Sequence, residues 1–149
     1  IEIKIARIFN TYGPLMNKDD GRVVSNFINQ MLYDKDITVY GKGSQTRSFS
    51  YVDDTLEGLI LLMNTDGVRG PINIGNNYEI PVNALVKMLQ NLIPESKSKI
   101  VYKELPGDDP KKRQPDLKLA NEKLNWYPKI LLHDGLSKTI NYFQWLKDI

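Results

Sequence analysis

The chain contains no cysteine and a single histidine, His133, among its 149 residues. Without thiols there can be no disulfide and no thiolate metal site, and one imidazole cannot build a metal cluster. No apolar run comes near the ~20 residues that a bilayer-spanning helix requires; stretches such as Leu59 to Met63 stop far short. An excess of one charge is missing too, since 20 Lys and Arg stand against 18 Asp and Glu, a net charge of +2. That balance argues against nucleic acid as a partner, which calls for a clustered basic face. The one basic run, Lys111-Lys112-Arg113, is preceded closely by Asp108 and Asp109. No strand is followed by a Gly-x-x-Gly-x-x-Gly turn, so the dinucleotide-binding fingerprint is lacking. No secretory leader is visible, and the first residue is Ile1, not an initiator methionine. The expectation is a chain that begins inside a fold.

What is present is ordinary globular composition: 41% hydrophobic and 26% charged residues, enough for a core at this length. Glu2 to Phe9 alternates and then turns apolar, which predicts a strand. Asn10 to Asp20 is a loop broken by Gly13-Pro14. From Arg22, the apolar residues Val23, Val24, Phe27, Ile28, Met31 and Leu32 fall on one face of a helix. Short strands are predicted at 37–40 and 46–50, with a glycine-bearing turn between them. Asp53 and Asp54 suit the positive start of a second helix as capping acids, with Val52, Leu56, Leu59, Ile60 and Met63 as its buried stripe. Residues 71–75 read as a strand. Pro81 fits the first turn of a third helix, whose core face is Val82, Leu85, Val86, Leu89 and Leu92. A strand at 99–102, a polar loop at 104–115, and helices at 117–124 and 132–146 complete the chain. Trp126 and Trp145 are expected as anchors in the core or under a lid, and His133 at the surface. A few short strands alternating with about five helices argue for an α/β fold in a single unit, 1–149.

Gly41-Lys42-Gly43-Ser44-Gln45 carries two glycines between strands. Such a turn lets backbone amides approach a ligand; on the glycines alone, an ordinary hairpin loop is favoured. Its spacing is not that of a Walker phosphate loop. The motifs Arg7-Ile8-Phe9-Asn10-Thr11-Tyr12-Gly13-Pro14, Asp20-Gly21-Arg22-Val23-Val24-Ser25-Asn26-Phe27-Ile28, Thr38-Val39-Tyr40-Gly41-Lys42-Gly43-Ser44-Gln45-Thr46-Arg47 and Asp108-Asp109-Pro110-Lys111-Lys112-Arg113-Gln114-Pro115-Asp116 occur in this order. Taken together they closely resemble the C-terminal half of the UDP-glucuronic acid decarboxylases (UDP-xylose synthases). These belong to the extended short-chain dehydrogenase/reductase, or NAD-dependent epimerase/dehydratase, family. The resemblance covers nearly the whole chain. Its first and third motifs are shared by many nucleotide-sugar epimerases and dehydratases, whereas Asp-Gly-Arg-Val-Val-Ser is more particular to the decarboxylases.

The resemblance implies the C-terminal, nucleotide-sugar-binding portion of a Rossmann-type fold, with a UDP-sugar as substrate and NAD as cofactor. It implies that Asn10 contacts the sugar diphosphate and that Gly21, Arg22, Val23, Val24 and Ser25 form a substrate-binding segment. Thr38, Val39, Tyr40, Gly41, Lys42, Gly43, Ser44 and Gln45 would lie along the uridine. Arg47 and Arg113 would close on the diphosphate and the uronic acid end. Thr11 and Asn17 would touch NAD. A physical argument for arginines stands apart from the resemblance: UDP-glucuronate carries a diphosphate and a carboxylate, and guanidinium groups bind such oxyanions through paired, charge-assisted hydrogen bonds. Arg7 and Arg69 read as surface ion-pair partners.

The implied reaction is redox-neutral. NAD takes a hydride from C4 of the sugar, the C6 carboxylate becomes β to a ketone and is lost as carbon dioxide, and the hydride returns. The family's catalytic Tyr-x-x-x-Lys pair is absent, since none of the eight tyrosines has lysine four positions on. No catalytic residue is therefore assigned to this chain. The expectation is a substrate-binding half, inactive alone, whose NAD-binding half precedes Ile1, leaving an exposed sheet edge and apolar surface. The resemblance also implies a homodimer assembled through that other half, and a cytosolic or Golgi-lumen location. Two alternatives stay open: another nucleotide-sugar 4-epimerase or 4,6-dehydratase, or a non-catalytic module that binds UDP-sugar.

Overall fold

The computed structural model describes residues 1–104 and 113–149. Among these residues, eight short strands and five helices follow in the order β1 (Ala6–Ile8), β2 (Thr11–Tyr12), α1 (Val23–Leu32), β3 (Ile37–Tyr40), β4 (Thr46–Ser48), β5 (Ser50–Tyr51), α2 (Val52–Asn64), β6 (Ile72–Ile74), β7 (Glu79–Pro81), α3 (Val82–Leu92), β8 (Ile100–Lys103), α4 (Lys118–Leu124) and α5 (Leu132–Asp148). The strands form four pairs. β1 runs parallel to β6, β2 to β5 and β3 to β8, while β4 and β7 are antiparallel, with Arg47 opposite Ile80. The parallel partners are far apart in sequence, as crossover connections require.

Two cores result. The larger gathers the inner face of α1 (Val24, Phe27, Ile28, Met31), the alternate residues Ile37 and Val39 of β3, and Leu85, Val86 and Leu89 of α3. Leu136, Ile140 and Phe143 of α5 close it. The smaller gathers Leu62 of α2, Ile72 and Ile74 of β6, Ala120 and Leu124 of α4, and Trp126.

Several expectations need correction. The first strand is confined to Ala6–Ile8, and among the described residues it pairs on one edge only. The predicted strand 46–50 is two strands, because the chain changes partner from β7 to β2 at Phe49. The core side of α2 is Asp54, Thr55, Gly58 and Leu62, not the predicted stripe. Leu56, Ile60 and Met63 are half or more exposed. Small residues face the core there because β6 and Trp126 press on the helix: a side chain at Gly58 would meet Ile74 and the Trp126 ring at 3.0 Å. Asp54 does not cap α2. It is buried, and its carboxylate accepts the backbone N–H groups of Lys129 and Ile130, both at 3.0 Å. Trp126 is core, donating Nε1–H to the Asp54 carbonyl at 3.1 Å, whereas Trp145 is exposed. No helix among the described residues is long and apolar enough to cross a membrane.

Candidate functional site

A cavity of about 340 Å³ opens between the Asn10–Tyr12 segment, the start of α1 and the β3–β4 region. Its apolar wall is made by Val24, Phe27, Phe49 and Val82, all buried. Its polar lining includes Asn10, Thr38, Tyr40, Gln45 and three arginines, Arg22, Arg47 and Arg113. Among the described lining residues there is no carboxylate. Guanidinium groups suit an anion of more than one charge, and one of the three, Arg22, also has Asp20 beside it.

The local structure explains why each group is there. Arg22 is the residue before α1. Asp20 Oδ1 accepts the Arg22 N–H at 3.0 Å and also takes the Ser25 hydroxyl hydrogen bond, which fixes the entry to the helix. The Arg22 side chain is about two-thirds exposed, with Nε 3.6 Å from Asp20 Oδ2 and Nη1 3.5 Å from the Thr11 carbonyl. A surface ion pair at that distance contributes roughly 0–1 kcal/mol, so turning this arginine onto a ligand costs little. Asn10 is tied down: its Nδ2 donates to the Ser48 carbonyl at 3.1 Å, and its own carbonyl accepts Ser50 N–H at 2.9 Å. Arg47 lies on β4, and its Nη1 donates to the Thr46 carbonyl at 2.7 Å. Arg113 is exposed, and its carbonyl accepts the Ser48 hydroxyl at 3.3 Å. Thr38 is registered against α1 by Gln30, whose Oε1 accepts the Thr38 N–H at 3.1 Å. Gln45 Nε2 donates to the Tyr40 carbonyl at 2.8 Å and closes the glycine turn.

Of the residues singled out in the sequence, Asn10, Thr11, Gly21, Arg22, Val23, Val24, Thr38, Tyr40, Gln45, Arg47 and Arg113 line this cavity. Ser25 is fully buried and turned back onto Asp20. Val39 points into the core, because strand alternation sends Thr38 and Tyr40 the other way. Gly41, Lys42, Gly43 and Ser44 form the turn beside the cavity, outside its lining, and Asn17 likewise lies outside it. Positions 108–112 of the fourth motif fall outside the described residues. Reasoning from sequence missed Tyr12, Met16, Asn26, Phe27, Phe49 and Val82 as lining. Phe27 was legible as part of the α1 face, but a helical stripe does not say which of its residues borders a cavity.

The Thr11 hydroxyl is engaged by the Phe9 carbonyl and by Thr55, and Asn17 Oδ1 accepts Asp19 N–H. Tyr12 is no general base: burial, reinforced by Tyr51, Asp54 and Asp134, pushes its phenol well above the ordinary value, and it donates to the Leu132 carbonyl at 3.3 Å. No group of three or more acidic or histidine ligands that could hold a metal occurs among the described residues. A larger groove, about 920 Å³, runs past Asn77, Tyr127 and Leu131. It contains none of the three arginines, so the smaller cavity is the better candidate.

Residues 1–75 match the family described as NAD dependent epimerase/dehydratase. The chain belongs to this family. Over 144 residues it is 50% identical to UDP-glucuronic acid decarboxylase 1 of Arabidopsis thaliana, covering 97% of this chain and 33% of that protein. It is 45% identical over 144 residues to UDP-glucuronic acid decarboxylase 1 of Xenopus tropicalis, with 97% and 34% covered. Among solved structures of the epimerase/dehydratase type, the UDP-glucuronic acid 4-epimerase of Bacillus cereus in complex with UDP-glucuronic acid and NAD superposes with a TM-score of 0.90 at 31% identity, over 98% of this chain and 46% of that one. The UDP-glucose 4-epimerase of Thermotoga maritima with UDP-glucose gives 0.90 at 32%, over 97% and 46%. The chain thus spans about a third of the length of the curated relatives it matches.

Proposed function

We propose that this chain is the substrate-binding half of an NAD-dependent UDP-glucuronate decarboxylase. The observation that carries the reading is the convergence of Arg22, Arg47 and Arg113 on one cavity. A UDP-uronate offers two phosphates and a carboxylate, and the cavity offers three guanidiniums. Arg22, loosely held, is assigned to the carboxylate; Arg47 and Arg113 are assigned to the diphosphate and the uronate end; Asn10 is assigned to the sugar diphosphate. Thr38, Tyr40 and Gln45 border the uridine, with the 41–44 turn behind them. Val24, Phe27 and Phe49 exclude water, which strengthens these charge-assisted bonds. The identity of 45–50% to decarboxylases favours this activity over 4-epimerisation, where the likeness is 31–32%.

In this reading NAD and the acid–base pair belong to an upstream half of the same polypeptide, and Thr11 and Asn17 lie at its border. The edge of β1 that is unpaired among the described residues, and the exposed face Leu56, Ile60 and Met63 of α2, are assigned to packing against that half. The test is the full-length polypeptide that carries this chain, supplied with UDP-glucuronate and NAD. Release of carbon dioxide with formation of a UDP-pentose supports the reading. Interconversion of UDP-glucuronate with its 4-epimer, without carbon dioxide, contradicts it.

A further inference from the structure

The turn at 41–45 is built from two residues in left-handed backbone, Gly41 at φ 62° and Gly43 at φ 68°. Glycine gives no resistance to leaving such a conformation, so something outside the turn must hold it. The start of α3 does so. The helix has no capping side chain, since the residue before it is Pro81. Its first two N–H groups are satisfied by the turn instead: Val82 donates to the Gln45 carbonyl and Asn83 to the Gly43 carbonyl, each at 3.0 Å. The Asn83 side chain adds a third bond, Nδ2 to the Lys42 carbonyl at 2.9 Å.

The Asn83 amide is packed onto Gly43. A Cβ at Gly43 would stand 2.0 Å from Asn83 Oδ1. That oxygen is buried and has no hydrogen-bond partner. Leaving an acceptor unsatisfied is unfavourable, and inverting the amide would turn Oδ1 against the Lys42 carbonyl. The arrangement persists because Nδ2 must reach Lys42. Asn83 lies outside the cavity lining, yet Tyr40 and Gln45, at the two ends of the turn it grips, are both part of that lining.

We infer that Asn83 is a positioning residue that acts through the 41–45 turn to set Tyr40 and Gln45 against the nucleotide. This rests on the proposed binding of a uridine nucleotide in the cavity.

The decisive variant is Asn83→Asp in the full-length polypeptide. It keeps the shape and removes the donor. An acid in the first turn also favours the helix, so a role confined to starting α3 predicts an unchanged or raised Tm and unchanged binding. The positioning role predicts UDP affinity, by calorimetry, weakened about five- to tenfold, the scale on which one lost hydrogen bond acts. KM for UDP-glucuronate rises to match while kcat stays within about twofold. Asn83→Ala, which adds no charge near the arginines, shifts binding in the same direction. Unchanged UDP affinity in both variants overturns the inference. Amide hydrogen exchange at Val82 and Asn83 reads the grip on the turn without any ligand. If the wild type binds no UDP, the proposed function fails. The grip is then judged on exchange alone: faster exchange in Asn83→Asp supports it, and unchanged exchange overturns it.

Discussion

Gly135 of α5 is pressed against Tyr12: a methyl group at Gly135 would lie 2.2 Å from Tyr12 Oη and 2.8 Å from the Tyr51 ring. This contact locks the C-terminal helix onto the segment that carries Asn10 and Thr11 into the cavity. Gly135→Ala gains about 1 kcal/mol of helix propensity, but the tyrosine ring is itself wedged between Phe49 and Tyr51. Overpacking of this kind costs about 1–3 kcal/mol. The clash wins, and a Tm lowered by several degrees is expected in a melting experiment. An unchanged or higher Tm would show that α5 can slide away freely.

Tyr12 makes stability depend on alkaline pH. Its folded pKa lies above the ordinary value of 10.0, chiefly through burial. Above pH 10 the unfolded chain therefore releases this proton while the folded chain keeps it. The contribution is fully present below pH 10 and is lost as pH rises toward the folded value. Tyr12→Phe should be less stable at neutral pH by about 1 kcal/mol, the worth of the bond to Leu132. The gap to the wild type should shrink between pH 10 and 11 in chemical unfolding. A constant gap would refute the burial argument.

The Asp54 carboxylate ties α2 to the segment at Lys129 and Ile130 that leads into α5. Asp54→Ala leaves both N–H groups without their acceptor, at about 1–3 kcal/mol each. A loss of about 3 kcal/mol or more is expected in urea unfolding, against under 1 kcal/mol for Asp53→Ala at the exposed neighbour.

Leu56, Ile60 and Met63 separate the isolated chain from the full-length polypeptide. In the isolated chain these side chains are already half exposed, so Ile60→Gln should change stability by under about 0.5 kcal/mol. In the full-length polypeptide the same change should cost about 1–3 kcal/mol if an upstream half covers the face. Equal effects in both would mean that nothing packs there.

Much of this was legible in the sequence because local chemistry and packing agree. Val24, Phe27, Ile28 and Met31 repeat at the helical period and do face the core. Oxyanion chemistry and motif order single out three arginines, and all three line one cavity. The misreadings have one cause. Leu56, Ile60 and Met63 form an apolar stripe, and a stripe signals a buried face without saying which neighbour buries it; here Gly58 meets Ile74 and Trp126, and Thr55 meets Thr11 and Ser50, instead. Asp54 looked like a cap because its partners lie 75 and 76 positions away. Asn83 gave no sequence signal, since its role depends on a turn brought to it by β4 and β7.

The central claim is that the cavity recognises a uronate carried on UDP. The most direct test is calorimetric titration of the full-length polypeptide with UDP-glucuronate, UDP-glucose and UDP, for the wild type and Arg22→Ala. UDP-glucuronate should bind the wild type about tenfold or more tighter than UDP-glucose, the worth of one charge-assisted pair, and Arg22→Ala should erase that preference while leaving UDP affinity nearly unchanged. Equal affinity of the wild type for the two sugars, or an equal loss for both in the variant, would contradict the account.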